Sequence, residues 1–396
     1  YNYCKGLYGQ FGFDIDIITF LDYGDEKYME QQPSFVKIKK VLKQGNILEK
    51  MFNLIIYSFI LKKWPLQVSM YYSRKNKKII EDYLKNNTVD IVICDMARTA
   101  QYIVDLEECN IKKILDMDDL LSNRYKRQLS LGRAGIDSIG SYAEKIPKCF
   151  RNVLNVDKIM KYILYKEYKL MRKYEIYLKD FFDRIVFVSP VEADKYNKIC
   201  DFNKADFVTI GVDYDYYSEE IDIHKDEKQI VYLANLDVAH NKDAVDYFIE
   251  TIYPKILEKE PKATFKVVGK CEDLEYKNKL NKIEGVFLTG MVEDIRPSIK
   301  SGVVSAIYLP YGSGIKTKIL ETMAMGVPVV TNSIGAEGIP NNDALIVKDD
   351  IDLFVKEIVK LINDEDYNRL ISNRSKEFID QEYRWSRTLS RFKNIL

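Results

Sequence analysis

The stretch "YGSGIKTKILETMAMGVPVV" (Tyr311–Val330) sets Gly312, Gly314, Lys316 and Lys318 between two apolar runs, Val303–Leu309 and Val327–Thr331. Ile319, Leu320, Met323 and Ala324 recur at helical spacing from a start near Lys316, and Gly326 followed by Pro328 stops the helix. The reading is therefore strand, glycine turn, helix, strand. A turn of this kind leaves the first N–H groups of the helix without intrahelical partners at the positive end of the dipole, which suits a phosphate. Lys316 and Lys318 add charge to that site, although the local pattern equally describes a tight turn with two solvated lysines. Glu321, an acid between Leu320 and Met323, reads either as a residue turned into a cleft or as an exposed partner for a lysine.

Outward from this stretch, strand-like runs alternate with helical ones almost throughout. The runs are Ile15–Phe20, Ile91–Cys94, Lys113–Leu115, Arg184–Val188, Phe207–Ile210, Ile230–Ala234, Phe265–Val268 and Val286–Thr289, with the two already named. Most are apolar without alternation, as expected of parallel strands covered on both faces. Helical patterns lie between them, such as Asp243–Leu257 with Val245, Phe248, Ile249, Ile252 and Ile256 on one face. This alternation predicts α/β architecture with doubly wound parallel sheets. The polar, acidic stretch Gly211–Gln229 divides two clusters of such units. We place the first domain at residues 1–212 and the second at 213–379, with a terminal helix over 380–396 packing back on the first. The opening residues read as a helix end, a turn and a strand, so an earlier strand is expected before Tyr1. In open α/β sheets ligands bind beyond the carboxyl ends of the strands, so the residues after each strand are the ones to inspect.

Composition narrows the chemistry. With 396 residues the chain is long for one core. Its 60 basic and 60 acidic residues cancel, so no global field points to nucleic acid. Only His224 and His240 supply imidazole, which argues against a histidine-rich metal centre or a Ser-His-Asp triad. The six cysteines are scattered with no CxxC pair and read as small buried hydrophobes in a reducing cytoplasm rather than as a disulfide or zinc framework. Met51–Leu61 is apolar but far short of the ~20 residues a spanning helix needs, and lysines close it. A nicotinamide oxidoreductase is excluded, because no G-x-G-x-x-G follows an early strand.

The segment "SGIKTKILETMAMGVPVVTNSIGAEGI" (Ser313–Ile339) strongly resembles the donor-binding motif of glycosyltransferase family 4, the group 1 glycosyl transferases. "VFVSPVEADKY" (Val186–Tyr196) and "VTIGVDYDYY" (Val208–Tyr217) resemble that family's passage between domains. Ile230–Lys270 resembles the opening of its donor domain, and "FLTGMVEDIRP" (Phe287–Pro297) the next strand and loop. The resemblance implies the GT-B architecture, two facing Rossmann-like domains with a cleft between them. It implies a metal-independent, retaining hexosyltransferase, with a nucleotide-diphosphate sugar as donor substrate and no separate cofactor. It also implies a glycan or lipid-linked acceptor, within capsule, O-antigen or other exopolysaccharide biosynthesis.

Residue roles follow from the same resemblance. Glu321 matches the second of the family's two glutamates and contacts the ribose, whereas the position of the first is Ser313. Gly312, Ser313, Gly314, Ile315, Lys316, Thr317 and Lys318 then line the sugar-pyrophosphate, with Lys316 stabilising the leaving group. The family's Arg and Lys after the first donor-domain strand are Asn235 and His240 here, with Lys242 two residues on. His240 reads equally as a surface or capping residue. Gly290, Met291 and Val292 seat the base through main-chain atoms.

On the acceptor side, Asp95 and Arg98 follow one strand, and Asp116, Asp118 and Asp119 the next. Asp119 with Ser122 and Tyr125 fits a pattern of this sub-branch, and Asp119 and Arg98 are the candidates to act on the acceptor. A carboxylate general base and a helix N-cap stay open for Asp118 and Asp119. The pairs Asp14–Asp16 and Asp116–Asp118 suggest a metal only in the other large glycosyltransferase architecture, so no metal site is assigned. Lys145–Lys173 is basic and aromatic and reads either as a solvated helix face or as a contact with an anionic membrane, at the cytoplasmic face. The rival class is a catalytically silent protein of two domains that binds a nucleotide or sugar as sensor or scaffold.

Overall fold

The computed structural model describes residues 1–21, 31–106, 110–130, 157–312 and 314–396, and they divide into two compact units. One comprises Tyr1–Thr209 with Leu389–Leu396, the other Ile210–Thr388. The boundary read from sequence lies three residues further on, at 212/213.

In the first unit, the helix Asn2–Phe11 ends at Gly12, whose φ of 71° lets its N–H reach back to the carbonyls of Leu7 and Tyr8. Strands β1 (Asp16–Phe20) and β2 (Lys37–Leu42) pair in parallel. Strands β3 (Ile91–Asp95), β4 (Lys112–Asp118), β5 (Arg184–Phe187) and β6 (Ala205–Phe207) form a second parallel sheet in that order. Ile114, Leu115, Met117, Ile185 and Phe187 of this sheet are fully buried, and the long helix Asp157–Leu178 covers it with Met171, Tyr174 and Leu178. Two buried acids on that helix serve other helix starts. Pro65 offers no side-chain acceptor to the helix Leu66–Tyr71, and Glu167 accepts the N–H groups of Leu66 (2.6 Å) and Gln67 (3.4 Å) instead. Glu175 accepts from the N–H of Ser122 (3.0 Å) at the helix Leu121–Ser130.

The second unit holds one six-stranded parallel sheet. Its strands are β7 (Gln229–Leu233), β8 (Thr264–Val268), β9 (Val286–Leu288), β10 (Val304–Ile307), β11 (Val329–Thr331) and β12 (Leu345–Val347). The spatial order is β12-β11-β10-β7-β8-β9. The chain builds outward from β7 to β9, then crosses back and builds outward from β10 to β12. The order therefore reverses between the neighbours β7 and β10, and such a reversal opens a crevice at the carboxyl ends of the strands.

Several elements depart from the sequence reading. Strand β2 is lysine-rich and does not show as an apolar run, and β12, apolar but only three residues long, is absent from the sequence reading. The sixth strand begins two residues earlier than expected. The helix expected over Asp243–Leu257 is three pieces: Ala239–Tyr247, a π turn Phe248–Ile252, and Tyr253–Leu257. Pro254 explains the break, since it lacks an N–H and its ring crowds the carbonyl four residues back. The terminal helix expected over 380–396 is also divided. Glu365–Glu382 stops at Tyr383, whose carbonyl accepts from the N–H of Val212 (2.6 Å), and Trp385–Ser390 and a 3₁₀ turn Arg391–Asn394 follow.

Candidate functional site

The loops that leave β7 and β10 meet at the reversal of the second sheet. After β10, Gly314 has a φ of 72°, a left-handed conformation that a side chain would strain. The chain thereby turns into the helix Thr317–Ala324, with Lys316 at its N-cap position and no side-chain cap. The N–H of Ile319 donates to the Lys316 carbonyl (3.0 Å), and those of Thr317 and Lys318 before it are the ones placed to meet an anion. Lys316 folds over the turn and donates from Nζ to the carbonyl of Gly314 at 2.5 Å. A Cβ at Gly312 would stand 3.3 Å from Lys316 Cε, so glycine leaves room for this lysine. Tyr311 donates its hydroxyl to Asp243 Oδ2 at 2.6 Å, and its ring meets that of His240 edge-on at 6.4 Å. Both partners belong to the helix after β7, so Tyr311 and His240 bring the two loops together. Ser313 lies outside the described residues. Ile315 is half-buried against the core and Thr317 is exposed.

Lys318 sits deeper than a solvated phosphate ligand would. Its Nζ donates to Asn241 Oδ1 (2.8 Å) and to Tyr232 Oη (3.2 Å), and lies over the Tyr232 ring. Burial, with the charge of Lys316 added, pushes its ammonium down to about 7. Asn241 in turn donates to the carbonyl of Asn235 at 2.9 Å. The buried Asn241 thus ties the end of β7 to the helix after β10, a role that the sequence reading missed. Glu321, one turn further on, is largely buried. Burial raises its carboxyl above the usual range, opposed by a hydrogen bond from Tyr217. Asn332, after β11, accepts from the N–H of Leu309 (3.2 Å) and Gly335 (3.1 Å) and donates to the Leu309 carbonyl (2.8 Å). It fixes the chain just before the glycine turn.

Other candidates are placed apart from Lys316 and Lys318 or are used locally. Asn235 Oδ1 accepts from the N–H of Asp237 (3.0 Å), closing a turn. Lys242 reaches Asp273 (2.6 Å) and the ring of Tyr276, towards the strand β8 side. Gly290, with φ 73°, bridges to Gly269 after β8, and Gly269 abuts the end of β7 so closely that a Cβ there would stand 2.0 Å from the Ala234 carbonyl oxygen. The ends of β7, β8 and β9 therefore form a continuous backbone ledge. Met291 is 80% exposed on it, and Val292 packs underneath on the buried cluster around Val231.

In the first unit, the strand ends carry acids instead. Asp95 and Asp116 are cross-strand partners at the ends of β3 and β4, and Met96 and Asp118 follow or end those strands with φ of 64° and 61°. Burial pushes the Asp116 carboxyl up to about 7, and the like charges of Asp118 and Asp95 add to it. Asp118 is raised by burial as well, opposed by Arg124 and Arg98. The buried Asp119 pairs with Arg124, and Arg98 lies 5.1 Å from the Tyr71 ring centroid. Ser122 donates its N–H to Glu175, and Tyr125 Oη accepts from Gln67 (2.8 Å), so both act as internal braces. Among the described residues, no three His, Cys, Asp or Glu side chains are grouped as a metal site needs.

Fold and site together define the second unit as a Rossmann-like domain with a helix start that has no side-chain cap at its switch point. Residues 227–364, within this unit, match the family described as Glycosyl transferases group 1. An uncharacterised 44.6 kDa protein of the cps region of Klebsiella pneumoniae is 21% identical over 387 residues, 94% of this chain and 88% of its own. Among solved structures, HepE of Anabaena in complex with UDP aligns with a TM-score of 0.61 and 11% identity, over 99% of this chain and 94% of that one. TarM of S. aureus aligns with a TM-score of 0.58 and 15% identity, over 81% of this chain, which spans 58% of TarM. These likenesses show the GT-B fold.

Proposed function

We propose that this chain is a glycosyltransferase that takes a sugar from a nucleoside-diphosphate sugar bound at the switch point of the second sheet. The observation that carries the reading is the convergence of Lys316, Lys318 and an uncapped helix start with the buried acid Glu321, at the reversal between β7 and β10. The helix N–H groups and Lys316 hold the diphosphate, and Glu321 accepts from ribose hydroxyls. Lys318, whose ammonium burial lowers to about 7, is protonated further when the anion arrives. The bond between the sugar's anomeric carbon and the diphosphate oxygen breaks as the acceptor hydroxyl oxygen bonds to that carbon, and the hydroxyl proton passes to the departing diphosphate. Charge developing on the departing diphosphate is met by Lys316 and the backbone amides already aimed at it. We further propose retention of anomeric configuration and a lipid-linked glycan acceptor in cell-surface polysaccharide assembly. The relative in a cps region supports that setting, and HepE structures holding UDP and UDP-glucose and a TarM structure holding UDP support a diphosphate donor.

The test is incubation of the intact protein with a panel of nucleoside-diphosphate sugars, reading release of free nucleoside diphosphate. Slow release from one donor, abolished in Lys316→Ala, supports transfer. Stable binding of a donor with no release, with or without a polysaccharide acceptor extract, replaces it with the sensor or scaffold reading.

A further inference from the structure

The segment Ile47–Leu61 is folded inside out. Its helix Ile47–Asn53 runs into a π helix Leu54–Ile60, and the buried residues of this element are the polar Asn53 and Ser58. Asn53 is buried and donates to the carbonyl of Tyr72 at 2.8 Å. Ser58 is buried and shares a 2.7 Å hydrogen bond with the hydroxyl of Ser69. The large apolar side chains face outward: Leu48 is 77% exposed, Phe52 58% and Ile60 62%, with Met51, Ile55 and Phe59 exposed beside them. An amphipathic surface helix has the opposite arrangement, and an apolar patch of this kind on a soluble surface marks an interaction site.

The rim of the patch is cationic. Lys62 and Lys63 close the segment and Lys50 lies within it, against the single acid Glu49. The ammonium of Lys166, on the helix Asp157–Leu178, stands 3.7 Å from the Phe59 ring centroid. That contact joins the patch to the basic face of the long helix, where Tyr162 and Tyr165 are also exposed. We infer that this face docks on an anionic lipid surface, with Phe52, Ile55, Phe59 and Ile60 in the acyl boundary and the lysines at the headgroups. Charge decides against a second copy of the chain. A two-fold interface would set this face against itself and stack lysine on lysine, whereas phosphate headgroups neutralise the same rim. Among the described residues no helix is long and apolar enough to cross a membrane, so the contact lies in the plane of the surface. The inference is independent of the donor-site reading.

The test is co-sedimentation of the full chain with vesicles of phosphatidylcholine alone and of phosphatidylcholine mixed with phosphatidylglycerol. Binding is expected to the mixed vesicles, weakened by salt. Phe52→Asp with Ile55→Asp should lower it by about tenfold or more, with an unchanged melting temperature because both side chains are exposed. Lys62→Gln and Lys63→Gln should each lower it by about fivefold, and they decide the matter if the aspartate variant fails to fold. The proposal is overturned if the intact protein stays in the supernatant with the mixed vesicles, or if the substitutions leave binding unchanged. It is equally overturned if the protein is a dimer that the same substitutions split while vesicles bind neither form.

Discussion

Both units end parallel strands in polar loops, yet lysines stand where the second sheet reverses and aspartates at the ends of β3 and β4. In the second unit Lys316 and Lys318 stand at the reversal of the sheet, and burial lowers Lys318 to about 7. In the first, Asp95, Asp116 and Asp118 stand at the ends of β3 and β4, and burial raises Asp116 to about 7. One architecture thus prepares two environments. A lysine whose ammonium is lowered by burial gains charge as an anion approaches, so an anion strengthens its own site. A carboxylate cluster does the reverse and repels a diphosphate. Helix starts offer N–H groups in either unit, so the side chains decide which set of strand ends accepts a phosphate.

The largest effect should come from removing the positive charge at the helix start. Lys316→Ala is expected to lower kcat/KM for donor turnover by about 10²–10³-fold, the range seen when a preorganised donor to a developing anion is lost. The melting temperature should stay unchanged, because the hydrogen bond from Lys316 to the Gly314 carbonyl lies within its own turn. Steady-state turnover with thermal unfolding checks both. Normal turnover in Lys316→Ala would remove the contrast between the units as an account of donor binding.

A smaller effect separates Lys318 from Lys316. The folded Lys318 lies below its ordinary value, so between pH ~7 and ~10 it holds fewer protons than a solvated lysine. A bound diphosphate favours the charged form, so binding takes up a proton in that window and affinity falls as pH rises. The expected slope is up to about tenfold per pH unit above pH ~7, where the ligand's own phosphates are already ionised. Calorimetric titration of a nucleoside diphosphate at several pH values reads the slope, which should flatten in Lys318→Met. A slope that survives the substitution would move the titrating group elsewhere.

Much of this was legible in the residues, and what was not has a physical reason. Buried parallel strands announce themselves as apolar runs, so β7, β8 and β10 and the glycine turn after β10 were readable directly. Strand β2 was hidden by its lysines, because an edge-facing strand need not be apolar. Lys318 reads as a phosphate ligand in sequence, but its burial depends on Tyr232 and Asn241, 86 and 77 residues away. Asn241 and Tyr217 carry no local signal at all, since their partners are defined only once the strands align. Composition shows that Met51–Leu61 is apolar but not that Asn53 and Ser58 turn its apolar side outward.

The smallest effect belongs to the acidic strand ends and tests the comparison from the other side. The folded Asp116 sits above its ordinary carboxylate value, so the folded state holds an extra proton between pH ~4 and ~7. Stability therefore falls as pH rises through that window, and the full penalty is present at pH ~8. Asp116→Asn removes the charge while an amide oxygen can still accept the N–H of Asp118, which now donates to Asp116 Oδ1 at 3.3 Å. The variant should be more stable than the parent at pH ~8 by about 1–2 kcal/mol, a rise of a few degrees in melting temperature, with the gain vanishing below pH ~4. Thermal unfolding at both pH values checks this. Nucleotide affinity should be unaltered, because the proposed diphosphate site is at the lysines of the other unit. A loss of stability at pH ~8 would mean that the Asp116 carboxylate is favourably partnered, and the opposition between acid and base at the two sets of strand ends would no longer hold.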